Sequence, residues 1–258
     1  MKAYRVLNMI SNIDNWMAYL WYKSSGKKGA GFTFRLRNQF NVSVPNQIIP
    51  EFKESFFEEV YFKHLPKKLF TDPAPVVLDI GANVGFFSLL AWYKLPAAKI
   101  LAFEPIARNF KLLQKNTAGI PANNLLAQHA AVSDVVGEIV LRFNEQDITT
   151  SASLLANSTG GTEEVVASTT LAAIFEQHQL RKVDLLKMDC EGAEYGIIYN
   201  SPAALFDAIN CIAMETHPGS APNENTQSMM HYLEKLGYLI KRQGKDLIWA
   251  YKPTHQWR

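Results

Sequence analysis

A short glycine-containing loop is the clearest chemical feature of this sequence. The letters DIGANVG occupy residues 79–85, between the apolar run VVL and a helix-like apolar run that begins FFS. Glycines let the backbone turn sharply and let a ligand lie against it, and the amino terminus of a following helix offers free N–H groups to an anion. We therefore expect Gly81, Asn83 and Gly85 to surround a charged ligand, with Asp79 beside an ammonium group.

Glu104 supplies the second half of this pattern. It follows the strand-like run KILAF at residues 99–103, so its carboxylate is placed at the end of a second strand, where it accepts both ribose hydroxyls of a nucleoside. S-adenosylmethionine carries a ribose, an ammonium group and a carboxylate, so it is the predicted cofactor. A dinucleotide carries phosphates that Asp79 would repel. The competing interpretation is that Asp79 and Glu104 only cap the helices that follow them.

The stretch QHAAVSD at residues 128–134 leads to the adenine end of the predicted cofactor. In a sheet of this topology the loop after the third strand lies beside the adenine, so Ser133 is assigned to the cofactor site. Asp134 is equally suited to begin the turn that leads to Gly137.

Three titratable residues end the next two strands of the predicted sheet. Asp189 follows LLKM at residues 185–188, and Glu215 and His217 follow CIAM at residues 211–214. Because the carboxyl ends of parallel strands meet at one edge of a sheet, we expect these side chains to converge beside the transferable methyl group.

Two chemistries remain open for Asp189, Glu215 and His217. A histidine oriented by a carboxylate is suited to take the proton of an acceptor hydroxyl near neutral pH. Alternatively, Asp, Glu and His side chains hold a divalent metal such as magnesium or manganese, which lowers the pKa of the hydroxyl. Glu194 is interpreted as an ordinary acid in the first turn of a helix, stabilised by the helix dipole.

From Pro75 onward, short apolar runs alternate with helix-like stretches, which is typical of a mostly parallel sheet with crossover helices. The last two strands, at residues 238–241 and 246–251, flank the turn-like QGK and predict an antiparallel hairpin at the sheet edge. The other predicted strands are residues 76–80, 100–103, 125–131, 138–143, 185–188 and 209–214. Residues 71–258 are therefore expected to form an S-adenosylmethionine-binding domain of the class I methyltransferase kind, an α/β Rossmann-like fold with a seven-stranded sheet.

Residues 1–70 are expected to form an accessory segment. An apolar stripe from Val6 to Leu20 predicts one amphipathic helix that ends near Lys23. Alternating residues predict a β-hairpin over 32–44, and residues 51–65 predict a second helix. The first helix is rich in Trp and Tyr and is followed by lysines, so residues 4–28 suit a membrane surface or a lipid-linked glycan. The alternative is that this helix covers the catalytic domain or a dimer partner.

The composition of the chain limits the classes of molecule that it is expected to bind. The formal charge of +2, without a long run of like charge, excludes the basic surface of a nucleic-acid binder. The amino-directed nucleic-acid methyltransferases also carry an Asn/Asp-Pro-Pro-aromatic tetrapeptide after the fourth strand, which this chain lacks. Cys190 and Cys211 lie in apolar segments and predict reduced thiols in a cytoplasmic protein. We find no signal-peptide pattern and no apolar stretch of the roughly 18 residues that span a bilayer.

Taken together, four segments of the chain resemble FkbM-type methyltransferases. They are VLDIGANVG at residues 77–85, FEP at 103–105, DLLKMDCEGAE at 184–194 and METHP at 214–218. The likeness runs over about residues 32–251 and includes TTL at 169–171, but not the aromatic amino-terminal helix. It implies O-methylation of a hydroxyl on a sugar, a polyketide-derived ring or a similar polyol, without identifying the acceptor.

The leading hypothesis is therefore an S-adenosylmethionine-dependent O-methyltransferase that acts on a small molecule or glycan. A non-catalytic S-adenosylmethionine-binding protein is the alternative, and Asp189, Glu215 and His217 argue against it. A nicotinamide-dependent oxidoreductase is disfavoured because no G-x-G-x-x-G run is present. Residues 151–161, which are small and polar, are expected to form a lid over the acceptor together with part of residues 1–30.

Overall fold

The computed structural model describes residues 3–26, 29–143 and 162–253. The lid predicted at residues 151–161 and the lysines at 27 and 28 lie outside the described residues. The amino-terminal part contains helices α1 (Ala3–Asn12), α2 (Trp16–Ser24) and α3 (Ile49–Lys53), and strands β1 (Gly31–Arg35) and β2 (Asn41–Pro45). The predicted hairpin is confirmed, since β1 and β2 pair antiparallel from Gly31 opposite Pro45 to Arg35 opposite Asn41.

The prediction of a single first helix is wrong, because the chain breaks at residues 13–15. The buried Ile13 pairs with Leu36 beyond the end of β1, and the side chain of Asn15 bonds to backbone atoms of Thr33 and Arg35. Asparagine competes in this way for backbone partners and favours helix ends. The predicted helix at 51–65 also ends early, in a π-helical turn (Glu54–Glu58) that is followed by Glu59 with a φ of +48°.

The remaining elements follow in the chain from Val76 onward. The helices are α4 (Phe86–Lys94), α5 (Ala107–Thr117), α6 (Leu171–Gln177), α7 (Glu194–Asn200) and α8 (Thr226–Lys235). The strands are β3 (Val76–Ile80), β4 (Lys99–Phe103), β5 (Leu125–Gln128), β6 (Ala131–Ser133), β7 (Gly137–Phe143), β8 (Thr162–Thr170), β9 (Leu185–Met188), β10 (Cys211–Glu215), β11 (Leu239–Gln243) and β12 (Leu247–Tyr251).

The central sheet has seven strands in the order β11-β12-β10-β9-β3-β4-β5. Its strands β5, β4, β3, β9 and β10 pair in parallel, whereas β12 runs antiparallel to both β10 and β11. The predicted carboxyl-terminal hairpin and the class I methyltransferase layout are therefore confirmed. Both faces of the sheet are covered: along β3, Leu78 and Ile80 enter one hydrophobic core and Val77 enters another, as the alternation of side chains on a strand requires.

The predicted strand at residues 125–131 is wrong in its extent. Leu125–Gln128 belongs to the central sheet, whereas Ala131–Ser133 joins a separate sheet of order β6-β8-β7. The predicted strand at 138–143 also lies in this smaller sheet. The sequence analysis missed its central strand, β8. The sequence of β8 is TEEVVASTT, in which most side chains are polar or small, and only Val166 and Ser168 are buried.

An aromatic cluster joins the amino-terminal segment to the first helix after the glycine loop. Phe34 stacks on Phe52 at a ring-centroid distance of 4.1 Å, and Phe52 stacks on Phe56 at 4.6 Å. Phe52 also meets the edge of Phe86 in α4 at 5.3 Å. Such aromatic pairs contribute about 0.5 to 1.5 kcal/mol each beyond the area they bury, so the segment is fixed against the start of α4. None of the described helices has the length and apolar character that a bilayer crossing requires.

Candidate active site

Asp189 and His217 converge at the carboxyl edge of the sheet, as the sequence predicts. Asp189 follows β9 directly and His217 lies two residues beyond β10. The His217 Nε2 atom is 4.0 Å from Asp189 Oδ1 and 3.4 Å from Glu191 Oε2. Glu215, the last residue of β10, is half-buried, and burial together with the charge of Asp189 raises its pKa to about 7.

Glu194 is the strongest partner of His217, and the sequence analysis did not assign it a role in the site. It is the first residue of α7, but its side chain is fully buried rather than exposed in a helical turn. Its Oε1 atom lies 2.5 Å from His217 Nδ1 and accepts the backbone N–H of His217 at 3.2 Å. The signal available in the sequence was the position of Glu194 five residues after Asp189, at the start of the helix that begins at the same edge.

The environment of His217 favours its charged form. Burial lowers the pKa of His217, but the hydrogen bond to Glu194 and the charges of Glu194, Glu191 and Asp189 outweigh burial and raise the pKa to about 9. Near neutral pH the side chain is therefore an imidazolium. Its Nδ1–H faces Glu194 and its Nε2–H faces the carboxylates of Glu191 and Asp189.

Tyr61 is a second residue of the site that the sequence analysis missed. Its hydroxyl donates to Asp189 Oδ2 at 3.0 Å, and Trp249 Nε1 donates to its backbone carbonyl at 3.1 Å. Burial and the nearby charges of Asp189 and Glu215 raise the pKa of Tyr61 well above its usual value, so the hydroxyl remains a donor. No short motif marks this tyrosine, because it lies 128 residues from its partner in the sequence.

Lys187, in the middle of β9, ties the glycine loop to Asp189. Its Nζ atom donates to Gly81 O at 2.6 Å and lies 3.2 Å from Asp79 Oδ1. Burial lowers the pKa of Lys187, but the charges of Asp79 and Asp189 outweigh it and hold the pKa above its usual value. Asp79 is fully buried and also accepts from Ser88 Oγ at 2.6 Å.

The two glycines of the loop are required by protein packing. Gly81 has a φ of +72°, and a Cβ there would lie 1.8 Å from the carbonyl oxygen of Asp189. Gly85 has a φ of +84°, and a Cβ there would approach Leu113 at 3.1 Å and Thr117 at 3.3 Å. The first glycine therefore lets β3 and the loop after β9 approach each other, and the second lets α4 pack on α5.

Two cavities meet at the glycine loop, and Gly81, Asn83 and Asp189 line both of them. The first, which we call the cofactor cavity, has a volume of about 90 Å³ and extends along Glu104, Val132, Ile139 and Glu191. The second, which we call the side cavity, has a volume of about 70 Å³ and is lined by Glu54, Tyr61 and Lys187 among others.

Glu104 is held in the cofactor cavity by backbone groups. Its Oε2 atom accepts the N–H of Asn83 at 2.8 Å, and its Oε1 atom accepts the N–H of Ile106 at 2.9 Å. The residue is only 4% exposed, and burial raises its pKa to about 7 against the opposing effect of these hydrogen bonds. The side chain of Asn109 also hydrogen-bonds this carboxylate, and the roughly four acceptor sites of a carboxylate leave capacity for a hydroxyl donor.

Three residues predicted to contact the cofactor, Asp79, Gly85 and Ser133, lie outside the walls of both cavities. Ser133 is buried and its Oγ atom is 2.7 Å from Ser168 Oγ. Val132 and Ala131, one and two positions earlier, line the cofactor cavity in its place.

The seven-stranded sheet has the layout of class I methyltransferases, and a cavity lies at the carboxyl ends of β3 and β4. The family model described as a methyltransferase FkbM domain matches residues 79–240. The chain belongs to the FkbM methyltransferase family, and it is a methyltransferase.

Named relatives agree with this assignment. Methyltransferase sdnD of Sordaria araneosa is 26% identical over 229 residues, which cover 77% of this chain and 84% of that protein. The 31-O-demethyl-FK506 methyltransferase FkbM of Streptomyces tacrolimicus is 34% identical over 107 residues, which cover 41% of this chain and 40% of that protein. The crystal structure of methyltransferase FkbM from Methylobacillus flagellatus shares the fold, with a TM-score of 0.50 at 12% identity, over 76% of this chain and 50% of that one.

Proposed function

We propose that this protein is an S-adenosylmethionine-dependent O-methyltransferase that acts on a hydroxyl of a small molecule or glycan. The observation that carries the proposal is the cofactor cavity, which is lined by the carboxylates of Glu104 and Asp189, with the His217–Glu194 pair next to Asp189. The Streptomyces tacrolimicus relative, whose name specifies transfer to an oxygen, supports the choice of acceptor atom.

In this proposal, Glu104 accepts the ribose hydroxyls of the cofactor and Gly81 and Asn83 line the path of its methionine part. The apolar walls formed by Val132 and Ile139 suit the adenine. Asp79 is a positioning residue, because both of its oxygens face Ser88 and Lys187. The side cavity takes the methionine end, where the carboxylate of Glu54 replaces Asp79 as the partner of the ammonium group.

The acceptor hydroxyl lies, in our proposal, between Asp189 and Glu215. Methyl transfer from a sulfonium is an in-line displacement that depends on positioning, and the alkanol must also lose its proton. With a pKa of about 9, His217 is already protonated near neutral pH. The half-buried Glu215, with a pKa of about 7, is then the better proton acceptor, and His217 donates a hydrogen bond to the acceptor oxygen.

A divalent metal is the second candidate for this step, and one observation favours it. Asp189, Glu191 and His217 offer donor atoms that lie within 4.8 Å of one another. Two carboxylates and an imidazole suit manganese or magnesium, and a carboxylate on the other ring nitrogen, here Glu194, is the usual partner of a metal-binding histidine. A metal held there would supply Lewis acidity toward the acceptor oxygen. Glu191 thus takes the place that the sequence analysis gave to Glu215.

One experiment tests the proposal and separates its two versions. Methyl-labelled S-adenosylmethionine is supplied with a panel of hydroxylated acceptors, and NMR of the product identifies the atom that carries the label. We expect an O-methyl product; a label on nitrogen or carbon alone would contradict the proposal. Activity that survives EDTA excludes the metal, and activity that EDTA abolishes and manganese restores excludes the direct base.

Two further expectations belong to this proposal. We assign cofactor binding to residues 71–258 and closure of the methionine end to residues 1–70, and we place the enzyme in the cytoplasm. A thermal-shift comparison checks the cofactor class: S-adenosylhomocysteine should raise the melting temperature and NAD should not. A protein stabilised by NAD alone would contradict the assignment.

A further inference from the structure

A third cavity lies between α1, α2 and the π-helical turn, and it shares no lining residue with the cofactor cavity or the side cavity. Its volume is about 270 Å³. We call it the basic cavity, because Arg5, Lys23 and Lys53 line it. Its other walls are apolar and include Tyr19, Leu20 and Phe57.

The charges of the basic cavity are only partly neutralised. Arg5 Nη2 pairs with Glu58 at 3.0 Å, and Arg5 Nε is buried without a hydrogen-bond partner among the described residues. Lys23 and Lys53 form no ion pair with any described residue. Burial lowers the pKa of Lys53, and the charges of Arg5 and Lys23 lower it further, whereas Glu58 raises it. Three cations therefore face one carboxylate around a space that an anion can enter.

An exposed apolar stripe adjoins this cavity on α2. Met17, Leu20 and Trp21 have the i, i+3, i+4 spacing of one helix face, and their exposed fractions are 67%, 36% and 64%. Leu20 also lines the basic cavity, so the stripe and the cations form one surface. Met9 and Tyr19, which also line the basic cavity, are buried and anchor α1 and α2 in the neighbouring hydrophobic core.

We propose that this surface of α1 and α2 binds anionic phospholipid bilayers, with a lipid phosphate in the basic cavity and Met17, Leu20 and Trp21 in the interfacial region. Tryptophan prefers the headgroup level of a bilayer, and arginine and lysine bind phosphate through charge-assisted hydrogen bonds. Basic residues beside an apolar helix face are the features that hold a peripheral helix on an anionic leaflet. The proposal does not depend on the acceptor of methyl transfer.

Two other occupants explain the surface less well. A soluble phosphate needs the cations but leaves the neighbouring Met17 and Trp21 exposed to water. A second copy of the chain, docked through the same face about a two-fold axis, would bring the cations of each copy toward those of the other. A bilayer with anionic headgroups satisfies both the charge and the apolar stripe.

Vesicle co-sedimentation with the full chain tests the proposal. The probes are phosphatidylcholine vesicles with and without phosphatidylserine, together with a calorimetric titration of inorganic phosphate. The test variants are the pairs Lys23→Gln with Lys53→Gln and Met17→Ser with Trp21→Ser. Their matched controls are Lys235→Gln, an exposed lysine in α8, and Leu239→Ser, half exposed at the sheet edge in β11. Circular dichroism confirms that each variant is folded.

We expect the wild type to sediment with phosphatidylserine vesicles, each test pair to lose at least about tenfold in binding, and both controls to bind like the wild type. Equal sedimentation with both kinds of vesicle, or wild-type binding by folded Lys23→Gln/Lys53→Gln, would overturn the proposal. Binding of inorganic phosphate without vesicle binding would also overturn it in favour of a soluble anion. A wild-type dimer that Met17→Ser/Trp21→Ser converts to a monomer, without vesicle binding, would assign the face to a second copy.

Discussion

The two ends of the candidate active site are built in different ways. At the cofactor end, Glu104 is fixed by backbone N–H groups of Asn83 and Ile106, and the N–H of Gly81 donates to the carbonyl of Phe103. At the acceptor end, side chains fix one another: Glu194 holds His217 and Tyr61 holds Asp189. Groups that are fixed by backbone hydrogen bonds belong to a local sequence motif. The side-chain network at the acceptor end, in contrast, forms only when elements distant in the sequence pack together.

The largest effect is expected at the acceptor end. His217→Ala should lower kcat by about 10² to 10³-fold, the range usual for the loss of a hydrogen-bond donor to the reacting oxygen, with S-adenosylhomocysteine affinity unchanged. Steady-state kinetics and calorimetry measure the two quantities. His231→Ala, an exposed histidine in α8, is the control. A loss in kcat below about tenfold would remove His217 from the chemistry.

The ion pair between Lys187 and Asp79 is tested through the free energy of unfolding. Lys187→Met leaves the buried carboxylate of Asp79 without its ion pair, so the free energy of unfolding should fall by about 3 to 5 kcal/mol. Lys182→Met is the matched control, because Asp184 keeps hydrogen bonds from Val76 and Asn210 after Lys182 is lost. Chemical denaturation measures both. Equal losses in the two variants would show that the Lys187 pair has no special role.

The cofactor end is tested by Glu104→Ala. Hydrogen bonds to a charged group contribute about 1.5 to 3 kcal/mol each, so loss of the carboxylate should weaken S-adenosylhomocysteine binding by roughly ten- to a hundredfold. Calorimetric titration measures the affinity, and circular dichroism checks the fold. Wild-type affinity in a folded Glu104→Ala protein would assign the ribose to other groups.

The smallest expected effect is the pH dependence of cofactor affinity, which also tests the role of Glu104. Burial raises the pKa of Glu104 to about 7, and the ionised carboxylate is the form that accepts two hydroxyl hydrogen bonds. Affinity should therefore be full above the pKa and fall as pH drops through it, by about tenfold between roughly pH 8 and pH 6. Glu104→Gln should bind more weakly and without this slope. A wild-type affinity that is constant over the range would contradict the role of Glu104.

Much of the fold followed from local patterns. The inner strands β3, β4, β9 and β10 of the central sheet are short apolar runs that are almost entirely buried, and they are found close to the predicted residues. The strand β8 escaped prediction because its two adjacent glutamates place one charge on each face and its sequence lacks a continuous apolar run. The break between α1 and α2 escaped because the apolar stripe continues through it, while the bridge from Ile13 to Leu36 depends on the distant hairpin.

The sequence by itself determined the family, the central sheet and the position of the glycine loop, since these depend on backbone turns and strand ends that neighbouring residues specify. Tertiary structure decided which carboxylates face which partners. Asp79 is buried and pairs with Lys187. Glu194, which was expected to be an ordinary acid in a helical turn, is the buried partner of His217. The physical reason is that a buried charge requires a partner, and that partner comes from whichever element packs against it.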